Sequence, residues 1–319
     1  MMRRIFPLLA CTALTLLFFW KLALTDLILA RGDTYTYFYP LWAARDAALR
    51  VGQLPLWTPD VLMGAPLLAD PQLGTLYPPN WLTISLTPPD AVRISIVLHI
   101  VWAALGMFWL ARRTVGVGVL GAWVAALAFT FGGYVGAHVE QINQLHGIAW
   151  LPWALLVYSA ALRRPMRYLP LLAIVFALQV LSGHTQTVFM TGVALTIFGL
   201  LSANKTPRTM LGALLGLAVA ALLAVVLALP QLYPTLELAG MSNRSGGFNP
   251  AQALAFSWNP LLIGRGLLPS YDAQVFGEYV AYPGVAALAL ALLGALTPNR
   301  RCWVWLALVA AGVLLALGL

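Results

Sequence analysis

At 319 residues, 61% hydrophobic and only 9% charged, the chain lies far below the roughly 25% charged residues of a soluble domain, which excludes an ordinary water-soluble fold. A net charge of +8 is no sign of a nucleic-acid partner here, because the basic residues stand in short clusters between apolar runs, where topology signals belong. Two cysteines exclude a disulfide framework.

In chain order, nine apolar stretches approach the roughly 20 residues needed to span a bilayer. The first covers 5–25. Leu8-Leu9-Ala10-Cys11 within it looks like a lipoprotein cleavage box, but the apolar run continues past it to Phe19 and Trp20, so Cys11 reads as a plain thiol in a membrane helix. A long segment over 26–90 follows. Inside it, Pro40 to Gly52 predicts a helix, with proline early and glycine after the end. Leu41, Ala44, Ala48 and Leu49 share one face, with Arg45, Asp46 and Arg50 toward the other; this pattern fits a helix lying on the membrane surface or a buried loop helix. Spans are expected at 91–111, 115–136, 147–162, 168–183, 186–203 and 209–229. Residues 168–203 require a hairpin near Gly183, since about 36 residues in one straight helix would reach about 54 Å. A second long segment covers 230–278, with a short helix capped by Asn249 before Pro250. Spans at 279–297 and 302–319 complete the chain, which ends inside an apolar run, as the N-terminal part of a longer protein would. The expected fold is all-α, one polytopic transmembrane domain over 1–319, with two long outer loops carrying short interfacial helices.

Charge sets the expected polarity. Arg3 and Arg4, Arg112 and Arg113, Arg163 with Arg164 and Arg167, Lys205 with Arg208, and Arg300 with Arg301 all fall on one side of this arrangement. The positive-inside rule makes that side cytoplasmic and places the N-terminus there, in a bacterial inner membrane. All ten acids fall at or beyond the opposite ends of the spans, and so do His138, His146 and His184. Any chemistry is therefore expected on the extracytoplasmic face.

Several residues there carry candidate chemistry. Asp33, just after the first span, can take a proton from a hydroxyl or help hold a divalent cation; alternatively it is satisfied by a cap or by Arg31. Asp70 precedes Pro71, an arrangement common in turns. His138 and Glu140 open a short polar stretch that continues through Gln141, Asn143, Gln144 and His146. His184 sits at the expected hairpin turn, Glu278 just before the eighth span, and Arg244 in a segment where it could hold a phosphate through two parallel hydrogen bonds. A divalent cation, magnesium or manganese, would find ligands among Asp33, Asp70 and Glu140.

Together these segments resemble the YfhO-like family of bacterial membrane proteins, of the GT-C class of glycosyltransferases. The pieces, in the family's order, begin with Asp33 followed by Tyr39-Pro40, then Gly52-Gln53-Leu54-Pro55-Leu56-Trp57-Thr58-Pro59 and Gly64-Ala65-Pro66-Leu67-Leu68-Ala69-Asp70-Pro71-Gln72 with Tyr77-Pro78. Trp150-Leu151-Pro152, Gly183-His184-Thr185-Gln186, Pro230-Gln231, Ser242-Asn243-Arg244 and Gly277-Glu278-Tyr279 with Tyr282-Pro283-Gly284 follow, so the resemblance covers about residues 30–290. The chain departs from the family at Thr58, and often at Asp70, where asparagine precedes proline. Members are commonly longer, with further spans and a soluble domain. The resemblance implies a GT-C-like fold, a polyprenyl-phosphate sugar donor among membrane lipids, and a glycan or polymer acceptor outside the cytoplasm. It implies Asp33 as general base, with Arg244 and Arg265 neutralising the leaving phosphate. Asp70, His138, Glu140, His184, Arg244 and Glu278 would surround the substrates.

Two other classes compete. A transporter or flippase of lipid-linked saccharides would place polar groups near the midplane, often on broken helices, whereas the expected spans hold few ionisable residues beyond Lys21 and His99. A non-catalytic membrane partner of cell-envelope enzymes needs only the outer loops.

Overall fold

The computed structural model describes residues 2–61, 63–203, 206–243, 245–269, 277–296 and 300–318. Almost every ordered segment is helical; the exception among the described residues is a two-stranded antiparallel ribbon, β1 (Trp57–Thr58) against β2 (Ala65–Pro66). Among the described residues, four helical stretches are long and apolar enough to cross a membrane: Pro88–Val115, Val119–Ala137, Thr185–Ser202 and Pro207–Met241. Only 22% of the most apolar window of the last is buried, and its leucines and valines point outward. Such a surface fits lipid, not water, and marks a membrane protein.

The helices run α1 (Met2–Phe18) and α2 (Trp20–Ala23), then α3 (Tyr39–Arg50), α4 (Pro78–Trp81) and α5 (Pro88–Leu110). After them come α6 (Val119–Thr130), α7 (Gly133–Ala137), α8 (Ile142–Ala161), α9 (Pro165–Leu181), α10 (Thr185–Ser202) and α11 (Pro207–Met241). The chain closes with α12 (Pro250–Ala253), α13 (Ile263–Leu267), α14 (Val285–Ala295) and α15 (Arg300–Ala316). Four helices thus meet the length and composition of a span where nine were expected; the remaining expected spans are shorter or more polar helices. Boundaries follow local chemistry. Thr87 caps α5 by accepting from the Asp90 N–H at 3.4 Å, with Pro88 at the first position; proline is favoured there because its missing N–H has no intrahelical partner in any case. Asn249 caps α12 as expected, accepting from the Gln252 N–H at 2.8 Å, and the Gln252 side chain accepts in return from the Asn249 N–H at 3.1 Å.

The bundle is built around α8, which packs on α5 and α9, with α9 in turn on α11. One apolar core lies between α8, α9 and α10; a second lies under the first long loop, where Phe38, Leu41 and Trp42 meet Ile96 and Ile100 of α5. Both Cys11 and Cys302 are free thiols.

Three expectations need correction. The segment 230–278 does not begin as a loop: α11 runs through Pro230 and Pro234 to Met241, 35 residues or about 52 Å. The prolines each remove one helical hydrogen bond, but Gln231 donates to the Leu68 carbonyl at 2.6 Å and Thr235 to the Ala69 carbonyl at 2.9 Å, so the extension is held by the first loop. The helix over 40–52 does form, as α3, yet Arg45 and Asp46 do not face solvent; each is 1% exposed. They satisfy one another at 2.7 Å, and the Arg45 guanidinium lies 4.2 Å from the Trp42 ring centre. The loop-helix alternative is the observed one. Finally, 280–284 is not helical, because the chain passes through Pro283 and Gly284 at φ +98° before α14 begins at Val285.

Candidate functional site

Four segments far apart in sequence meet at one end of the bundle: 31–37, 70–74, 138–144 and 182–184. Asp33 lies on the first. It is exposed, at the start of a π-helical turn, Thr34–Phe38, that leads into α3. Single π-helical turns are rare and recur at functional sites. This turn is clamped to its neighbours. Arg31 Nε meets Glu140 Oε2 at 3.1 Å, Thr34 Oγ1 donates to the Glu140 carbonyl at 2.9 Å, and the Tyr37 hydroxyl donates to Asp70 Oδ2. Gly32, at φ +49°, leaves space that a Cβ would take 3.2 Å from Glu140 Oε2.

Asp70 is half-buried and does two things at once. Its Oδ1 accepts from the Gln72 N–H at 3.0 Å, opening the turn Pro71–Leu73, while Oδ2 takes the Tyr37 proton donor. Burial raises its pKa above the ordinary carboxylate value; the two hydrogen bonds pull the other way. The Tyr37 hydroxyl is held well above its usual pKa by burial first, then by the charge and hydrogen bond of Asp70, then by the charge of Asp33. Tyr37 is thus a neutral phenol bonded to Asp70, with the charge of the exposed Asp33 also felt at it.

The platform beneath is rigid. Asn143 Nδ2 donates to Gln72 Oε1 and to the Gly183 carbonyl, both at 3.4 Å. Gly183, where the chain reverses between α9 and α10, has φ +85°, and a Cβ there would lie 1.8 Å from the Pro71 carbonyl oxygen. Glycine alone fits, on conformational and steric grounds alike. One layer deeper, Trp150 donates to the Tyr77 hydroxyl at 2.7 Å, Tyr77 pairs with His99 at 2.7 Å, and the His99 and His146 rings stack at 3.8 Å.

Of the residues singled out in sequence, Asp33 and Asp70 come together through Tyr37. Glu140 turns to Arg31 and to Thr34, so its role is to fasten the Asp33 turn; Arg31 pairs with it and not with Asp33. His138 is 2% exposed, its Nδ1 bonded to the Tyr134 carbonyl at 2.7 Å. His184 caps α10, its Nδ1 accepting from the Thr187 N–H at 3.3 Å. Both serve the scaffold. Arg244 lies outside the described residues. Glu278 has a described backbone, in the short turn Gly277–Tyr279, but its side chain lies outside the description. Arg265 lies in the single turn of α13 and is exposed. Among the described residues no three His, Cys, Asp or Glu side chains gather as a metal site. Tyr37 was missed, although its place four residues after Asp33 on a helical turn puts both on one face. Arg45, Asp46 and the His99–His146 stack were also missed; nothing local marks them.

No family model matches the chain, and no curated protein or solved structure shows detectable similarity to it.

Proposed function

We propose that the chain is a membrane glycosyltransferase that moves a sugar from a polyprenyl-phosphate donor to a glycan or polymer acceptor outside the cytoplasm. In this reading it is a GT-C-like relative of the YfhO-like family, with the nine apolar helices as spans, basic turns in the cytosol and the Asp33 platform outside. The observation that carries the proposal is the pair of unequal carboxylates around Tyr37: an exposed Asp33 on a clamped π-helical turn, and Asp70 fixed behind it. An acceptor hydroxyl needs a proton acceptor that is open to it and held still. Asp33 meets both needs, and the exposed guanidinium of Arg31, two residues away, is suited to the departing phosphate.

The step balances simply. The acceptor oxygen attacks the anomeric carbon while the bond from that carbon to the phosphate oxygen breaks. The electron pair leaves with the lipid phosphate, and the hydroxyl proton goes to Asp33. Asp70 does not touch the reacting atoms; it positions Tyr37 and, through it, the turn. Competing transport is less well supported, because the buried polar layer of Tyr77, His99 and His146 is closed by its own hydrogen bonds.

The test is transfer from a lipid-phosphate sugar by purified protein in liposomes. Asp33→Asn should lower turnover by about 10²–10⁴-fold, the usual worth of a general base, while retaining donor binding. Unchanged turnover removes Asp33 as base. Labelled sugar that changes leaflet without changing its covalent attachment would make the protein a flippase.

A further inference from the structure

At the other end of α8 lies a cavity of about 1290 Å³, larger than the roughly 300–1,000 Å³ of an ordinary small-molecule pocket. Its walls come from α8, α9, α10, α11 and α15, and it exists because α11 presents small residues there, with Gly212 showing nothing within 4 Å of a Cβ built on it. Apolar groups such as Leu169, Phe198 and Trp305 line the depth. Two arginines, Arg113 and Arg163, line it as well, and no acid does among the described residues.

The arginines are set differently from their neighbours. Arg112 is spent on its own turn, donating to the Val117 carbonyl at 2.5 Å. Arg113 instead lies 4.7 Å from the Trp109 ring centre, on a second π-helical turn, Ala111–Val115, that closes α5. Arg163 stands exposed just past the end of α8. An apolar chamber with cations and no carboxylate in its walls fits one chemistry: a lipid whose chains fill the depth and whose phosphate meets the guanidinium groups.

We propose that this cavity is a binding site for an anionic phospholipid of the leaflet at the arginine end, its phosphate held by Arg113 and Arg163 and an acyl chain lying against Gly212. The site is separate from the carboxylate platform, so it stands whether or not the chain transfers sugar.

Native mass spectrometry of the full chain, released from micelles containing equimolar dioleoyl-phosphatidylglycerol and dioleoyl-phosphatidylcholine, tests it. The wild type should retain phosphatidylglycerol preferentially. Arg113→Gln and Arg163→Gln should each lower that preference about fivefold, the worth of one basic residue near a charged headgroup. Gly212→Leu, which has room for its side chain, should reduce retention of both lipids without altering their ratio, and soluble glycerol phosphate should displace neither. Equal retention of both lipids by the wild type would overturn the proposal. So would a preference that survives loss of both arginines, full retention in Gly212→Leu, displacement by glycerol phosphate, or a second copy of the chain filling the cavity in a lipid-free dimer.

Discussion

Removing Arg45 should destabilise the protein more than any surface change, and the size of the loss follows from its surroundings. Arg45 and Asp46 are each 1% exposed and lie 2.7 Å apart. Arg45 also donates to the Leu73 carbonyl, at the end of the turn that Asp70 opens. Arg45→Met keeps much of the side-chain volume against Trp42 but strands the Asp46 carboxylate, whose Oδ2 has no hydrogen-bond partner even in the wild type. Breaking a buried pair from one side costs about 3–5 kcal/mol, whereas replacing both partners by apolar residues is often neutral or better. The double variant Arg45→Met, Asp46→Leu should therefore recover most of the loss, short of the bond to Leu73, and lie within about 2 kcal/mol of the wild type. The sign of the pH response is a second check. Burial already raises the Asp46 pKa above the ordinary carboxylate value of 3.8, and the Arg45 charge opposes that rise. Without Arg45 the folded pKa goes higher still. The folded state then favours the protonated acid, so stability is greatest below 3.8 and is lost as pH rises through the folded value. The deficit of Arg45→Met should shrink on acidification, and the double variant should show no such trend. Denaturant titration in detergent, followed by tryptophan fluorescence, measures both. A single variant as stable as wild type, or a double variant no better than the single, refutes the buried-pair account.

Tyr37→Phe should lower stability at neutral pH by about 1.5–3 kcal/mol, the range for a hydrogen bond to a charged group. Since the lost donor was holding the Asp70 pKa down, the gap to wild type should close as pH falls, and a pH-independent gap in the same titration would count against this pairing. Gly183→Ala should prevent a stable fold, because its Cβ would overlap the Pro71 carbonyl at a positive φ; size-exclusion of the detergent-solubilised variant as a monodisperse wild-type-like peak would contradict it. Single thiols placed at positions 33 and 113, after replacing Cys11 and Cys302, should react with an impermeant reagent from outside at 33 and not at 113. The reverse pattern would remove the proposed polarity and the transferase reading with it.

Much of the helical frame was legible because apolar runs and proline or glycine boundaries are local signals. α5 begins three residues before its predicted start, and the reversal falls at Gly183, where length arguments put it. Where sequence reasoning failed, long-range partners decided. Pro230 reads as the end of a helix, yet α11 continues because Gln231 and Thr235 find acceptors 163 and 166 residues away. Arg45 and Asp46 read as a solvated face, yet together with the Leu73 carbonyl they satisfy enough of one another to be buried. At the site, Asp33 stood out as an acid just after an apolar run, and Asp70 as a turn aspartate. Glu140 could not be understood until Thr34, 106 residues earlier, was seen bonded to its carbonyl.

The two regions singled out by geometry are joined by one element. Asn143, on the first turn of α8, holds the platform beneath Asp33 and Asp70; Tyr158 and Ala161, on its last turns, line the cavity with Arg113 and Arg163. The 20 residues of α8 extend about 30 Å, close to the hydrocarbon thickness of a bilayer. A carboxylate-bearing surface and an arginine-lined chamber thus stand about one membrane apart on the most deeply packed helix of the bundle. In the proposed polarity they are the two faces of a membrane, because charged groups of either sign avoid the hydrocarbon interior and a connector of this length would let both reach water. It also explains why α8 is buried along most of its length while α11 is not. α8 fixes the distance between the two sites, and α11 faces the lipid.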